Sequence, residues 1–191
     1  MSATLTSALW DLGRGSGVAA LVAFTVSLVL GIVTRSGRDA LGIGRFGLNE
    51  VHRTAALTGV GLVAVHLASL FFDPYAQLRV MDLFLPFGGS YRPLWLGLGT
   101  LAVDLLGVIT VVSLLRERVG PRVFKAVHWA TYALWPIALV HSLGTGTDAA
   151  TLWLDGIAIA CTASVVTAVT WRTSPTFAGR GWDRIPKQVT R

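Results

Sequence analysis

Residues 50–72 read EVHRTAALTGVGLVAVHLASLFF, and the fold follows from this stretch. From Thr54 onward it is apolar or small almost without interruption, and its length approaches the ~20 residues that cross a hydrocarbon core. Yet it carries a histidine near each end, His52 and His66. A second stretch, residues 124–143, reads FKAVHWATYALWPIALVHSL and does the same with His128 and His141. These four are all the histidines in the chain. Ionisable side chains inside a membrane span are costly and mark function.

Three more apolar runs surround these two: Gly17–Thr34, Leu94–Leu115 and Ala149–Trp171. With Glu50–Phe72 and Phe124–Leu143 they make five spans. The fold class is therefore an all-α, polytopic transmembrane helical bundle, with six helices as the alternative count. Composition agrees. Of 191 residues, 53% are hydrophobic and 14% charged, and mean hydropathy is +0.63. A soluble domain of this size needs more charge to cover its surface. The first run is longer than a signal-peptide core, and Thr34-Arg35-Ser36 offers no cleavage site, so it reads as a retained anchor. The lone cysteine, Cys161, excludes an internal disulfide and a thiolate cluster and reads as a packing residue.

Lysines and arginines set the direction. Arg35, Arg38 and Arg45 follow span one, and Arg53 lies at the start of span two. Arg116, Arg118, Arg122 and Lys125 lie between three and four. Arg172, Arg180, Arg184, Lys187 and Arg191 follow span five. The opposite side holds only Arg14, Arg79 and Arg92. The positive-inside rule then places the amino terminus outside and the carboxyl terminus in the cytoplasm of a multi-pass cell-membrane protein. The basic tail reads as a topology anchor on anionic lipid, so nucleic acid is not expected as a partner. Residues 1–16 form an outer segment, 17–171 the membrane domain and 172–191 a cytoplasmic tail. Asp73-Pro74 ends span two, Met81–Phe87 suits an interfacial segment on the outer face, and Gly144 and Asp148 suit a C-cap and an N-cap around a tight turn.

Helix geometry pairs the histidines. His52 and His66 are 14 residues apart, ~21 Å of helix, and only about 40° from sharing one line. His128 and His141 are 13 apart, ~20 Å, and in a straight helix they diverge by about 140°. Pro136 lies between them and removes a helical donor from the Tyr132 carbonyl. The expectation is that this irregularity turns His141 to face His66. One span separates the two histidine helices, so both run the same way. His52 then meets His128 near the cytoplasm, and His66 meets His141 near the outer surface. Zinc wants more protein ligands than such a pair supplies, whereas imidazole also suits iron and copper. A porphyrin brings four nitrogens and needs only two axial ligands. Gly59 and Gly61, with Ala55, Ala56 and Ala64, keep the first histidine helix slim. Arg53, Arg122 and Lys125 are candidates for the propionates of an inner haem, and Arg92 and Tyr91 for those of an outer one. Asp104, mid-span in the third helix, is expected to make an interhelical hydrogen bond, and Trp129 and Trp135 to pack or meet lipid.

The fragments Glu50-Val-His52-Arg53, Val65-His66, Arg122-Val-Phe-Lys-Ala-Val-His128-Trp-Ala-Thr-Tyr132 and His141-Ser-Leu-Gly-Thr-Gly-Thr-Asp148 resemble the ferric reductase-like transmembrane domain. That superfamily includes the NADPH oxidases, yeast-type ferric reductases and the bacterial haem subunit of the methionine sulfoxide reductase system. The resemblance covers about Gly17 to Trp171. It implies two haems b held by the histidine pairs above and electron flow from the inner haem to the outer. Members commonly have six spans, and the flavin-dependent ones carry FAD and nicotinamide domains after the last. Here 20 residues follow Trp171, without a nucleotide fingerprint. The expectation is a di-haem cytochrome subunit of a two-component oxidoreductase, not a whole enzyme. A separate flavoprotein reductase, bringing its flavin, or a quinol would feed it, and an outer redox protein or small acceptor would drain it. Two other classes stay open: a quinol-oxidising cytochrome b subunit of a respiratory dehydrogenase, and a non-redox transporter or metal-ion channel. No repeat of the kind transporters show is visible.

Overall fold

The computed structural model describes residues 3–40, 42–74, 78–88, 92–145 and 151–177. Six helices account for most of them: α1 (Ala3–Ser36), α2 (Arg45–Phe72), α3 (Pro93–Leu114), α4 (Arg116–His128), α5 (Thr131–Thr145) and α6 (Leu152–Thr173). A 3-10 turn, Val80–Leu83, precedes α3, and no strand occurs among the described residues. Helices α1, α2, α3 and α6 are each long and apolar enough to cross a membrane, and the bent pair α4 and α5 passes the same test together, which brings the number of candidate spans to five if the pair crosses as one.

Two boundaries differ from the sequence reading. Helix α1 begins at Ala3, so the described part of the 1–16 segment is its first turns. Residues 3–16 are too polar to register in a hydropathy window, but they pack on the far end of α2. A Cβ on Gly13 would stand 3.0 Å from Ser69 Oγ and 3.1 Å from Leu70. The basic connection 116–125 is helical as well. Leu115 alone joins α3 to α4. Gly120, at φ 79° and ψ 162°, interrupts α4 in a conformation that suits glycine, and Pro121 restarts the helix with φ already set.

Helix α1 is central. It packs antiparallel on α2 and also touches α5 and α6, while α3 packs on α5. Its register with α2 is fixed by small residues: Gly17 faces His66, Phe24 faces Gly59 and Gly31 faces His52. One buried cluster joins Leu21, Trp135, Cys161 and Val165 from α1, α5 and α6. Trp135 Nε1–H donates to Thr25 Oγ1 at 2.9 Å, so the buried indole is satisfied. A second cluster joins Ala102, Leu106, Ile109 and Leu134, with Val60 and Val63 of α2 packed against it. These side chains fasten α2 to that half of the bundle at mid-height. Its backbone lies close to α1 and is not packed on α3, α4 or α5.

The irregularity in the second histidine span stands at Trp129–Ala130, ahead of the expected Pro136, which lies inside α5. Helices α4 and α5 meet there at 48°. The proline strips Tyr132 of its helical donor, and the chain tightens one turn earlier. Ala130, Tyr132 and Ala133 donate to carbonyls three residues back: Val127 at 2.9 Å, Trp129 at 3.1 Å and Ala130 at 3.0 Å. A 3-10 turn advances about 120° per residue against about 100° for the α-helix, so three such residues recover about 60° of the divergence between His128 and His141. Thr131 Oγ1 donates to the His128 carbonyl at 2.8 Å, satisfying an acceptor at the break.

Candidate functional site

The four histidines gather as two pairs between α2 and the α4–α5 span. His52 and His128 have ring centroids 6.2 Å apart with planes at 80°. His66 and His141 have centroids 6.5 Å apart with planes at 88°. All four are half-buried. A first-row metal binds an imidazole nitrogen at about 2.0 Å, and the centroid lies about 1.15 Å behind that nitrogen, so one ion between two imidazoles sets centroids about 6.3 Å apart. Both pairs match that spacing.

The hydrogen bonds fix the tautomer of three rings. His52 Nδ1 lies 2.7 Å from the Ser27 carbonyl, His66 Nδ1 2.6 Å from the Gly13 carbonyl and His141 Nδ1 2.7 Å from the Trp95 carbonyl. A carbonyl can only accept, so Nδ1 carries the proton and donates in each case. Nε2 is left with a free lone pair, the arrangement a metal-binding imidazole takes. Ser27 Oγ and Thr145 Oγ1 support the first and third rings and donate to the carbonyls of His52 at 3.3 Å and His141 at 2.8 Å. His128 differs. Its Nδ1 is buried without a hydrogen-bond partner, and its ring stacks on Phe124 at 5.2 Å and 23°.

No third donor joins either pair. Among the described residues no group of three or more histidine, cysteine, aspartate or glutamate side chains converges. Each pair therefore suits a group that supplies its own remaining ligands.

The expected cations are placed unevenly. Arg53, Arg122 and Lys125 are exposed at the His52–His128 end. Arg92 lies at the other end, where its Nη1 donates to the Gly144 carbonyl at 3.0 Å. Tyr91 lies outside the described residues, as does the Asp148 cap. Gly144 does not end its helix as a C-cap: it lies within α5, pressed against the Trp95 ring, where any Cβ would collide. Asp104 is half-buried and makes no hydrogen bond or ion pair with a described residue, so its expected interhelical bond is absent. Trp129 is half-exposed with the Arg172 guanidinium 4.8 Å from its ring, while the same arginine donates to Tyr132 Oη at 2.6 Å.

The match to a family model for the ferric reductase-like transmembrane component runs over residues 16–139. The chain belongs to this ferric reductase-like transmembrane family. The match takes in His52, His66 and His128 and stops two residues short of His141, whose place in the site rests on its 6.5 Å approach to His66. No curated protein and no solved structure matches the chain significantly. Beyond the histidines, the ferric reductase-like core uses backbone carbonyls that sequence reasoning missed: Gly13, Ser27 and Trp95. A signal was present. Gly17 and Gly31 on α1 repeat the 14-residue spacing of His52 and His66 on α2.

Proposed function

We propose that this chain carries electrons across a membrane, holding one haem b between His52 and His128 and a second between His66 and His141. Each haem, when bound, supplies a one-electron carrier. The residues supply the rest. Three Nδ1–H groups are committed to carbonyls, which presents Nε2 as ligand and raises its basicity. The apolar layer of Val60, Val63, Leu106 and Leu134 packs between the two levels. Arg53, Arg122 and Lys125 at one end, and Arg92 at the other, are the cations for propionates. The single observation that carries this reading is the pair of 6.2 and 6.5 Å imidazole separations at two heights of one bundle.

The His52–His128 level faces the cytoplasm, with the amino terminus outside, and takes electrons from a separate flavoprotein reductase or a quinol. The His66–His141 level passes them to an outer redox protein or a small acceptor. The chain thus acts as the cytochrome subunit of a two-component oxidoreductase. Proteoliposomes test this. With dithionite trapped inside and ferricyanide outside, the chain should accelerate ferricyanide loss over protein-free vesicles. A haem-loaded chain that leaves the rate at the protein-free level would overturn the electron-carrier reading.

A further inference from the structure

Three of the four histidine rings reach a backbone carbonyl by the same device, and each instance requires a glycine. His66 donates to the Gly13 carbonyl, and a Cβ on Gly17 would stand 2.9 Å from His66 Nδ1. His52 donates to the Ser27 carbonyl, and a Cβ on Gly31 would stand 3.2 Å from His52 Cε1. His141 donates to the Trp95 carbonyl, and a Cβ on Gly99 would stand 2.5 Å from His141 Cε1. The glycine follows the carbonyl by four residues every time. Helix geometry explains the interval. A side chain leans toward the helix amino terminus and covers the turn before its own Cα. Removing the Cβ at one position therefore bares the carbonyl four residues earlier. That carbonyl keeps its helical N–H and accepts the imidazole as well; the Gly13 carbonyl also accepts from Ser16 Oγ at 3.1 Å.

We propose that Gly17, Gly31 and Gly99 are positioning residues of the two candidate haem sites, each opening a neighbouring helix so that an axial imidazole docks on the carbonyl four residues back. The inference rests on the haem reading above and goes beyond it to residues on helices that provide no ligand. His128 is the internal contrast. Among the described residues no glycine and carbonyl receive it, its Nδ1 has no hydrogen-bond partner, and its ring stacks on Phe124. The His66–His141 level is thus clamped on both sides and the His52–His128 level on one.

The test uses the full chain purified with haem. Gly17→Ala, Gly31→Ala and Gly99→Ala are compared with Gly107→Ala and Gly156→Ala, helical glycines whose Cβ would meet nothing within 4 Å. The readouts are haem per chain, the midpoint potential of each haem and the low-spin ferric EPR signal, which reports the angle between imidazole planes. Gly99→Ala should cause the largest loss or signal change at the outer haem, and Gly17→Ala a smaller one at the same haem. Gly31→Ala should act least, and only on the inner haem. Where haem is retained, weakening the Nδ1–H bond makes the ligand less basic, so that haem's potential should shift upward. Gly31→Ala has the smallest overlap and decides the matter if Gly99→Ala fails to assemble. Variants indistinguishable from the two controls, or shifts at the wrong haem, overturn the inference alone. An unsubstituted chain that takes up no haem overturns the functional reading, and this inference falls with it.

Discussion

Replacing His66 with alanine should remove one haem of two and leave the bundle standing. The imidazole contributes one hydrogen bond, to a Gly13 carbonyl inside an unbroken helix. That carbonyl keeps its helical donor, so no orphaned acceptor is created, and the loss is about 1 kcal/mol. A domain stable by about 5–15 kcal/mol tolerates that. The loss of an axial ligand, by contrast, leaves a single imidazole at that level. The pyridine haemochromogen assay against protein concentration should therefore fall from two haems per chain to one. The same value is expected for His141→Ala, and the two variants should share one residual spectrum, that of the inner haem. His52→Ala and His128→Ala should share the other. The sorting follows from the pairing distances of 6.2 and 6.5 Å. Residual spectra that group His66 with His128, or a folded variant that loses both haems or neither, would refute the pairing.

Trp135→Phe removes the buried N–H···Oγ1 bond to Thr25 while keeping most of the ring. It should cost about 1–2 kcal/mol and lower the thermal midpoint by a few degrees without changing haem content; an unchanged melt would contradict the role given to that bond. For topology, Met81→Cys should react with a membrane-impermeant maleimide on intact cells and Arg118→Cys should not. Cys161, 6% exposed, serves as a silent background. The reverse labelling pattern would invert the assigned direction.

The spans were legible because hydropathy acts over ~20 residues and needs no knowledge of neighbours. The faces of His52 and His66 were legible because α2 is a regular helix, so spacing alone fixes their direction. The second histidine span was legible only in part. Pro136 announces a disturbed helix, but the tightening occurs among residues 127–133, where the chain finds i−3 acceptors and Thr131 covers the His128 carbonyl. A proline states that a donor is missing, not which turn absorbs the loss. The helical start at Ala3 was invisible to hydropathy because Asp11, Gly13 and Arg14 dilute the window, and packing on Ser69 and Leu70 explains its extension. The carbonyl receivers were hidden because a backbone oxygen has no letter in the sequence. They surface only through Gly17, Gly31 and Gly99, whose meaning depends on the register of α1 on α2 and of α3 on α5.

The most direct measurement is the haem-to-protein ratio of the purified chain with its reduced-minus-oxidised spectrum. Two haems b per chain are expected, both six-coordinate and low-spin in the ferric state. A folded chain without a Soret band, even after expression with added haem precursor, would contradict it.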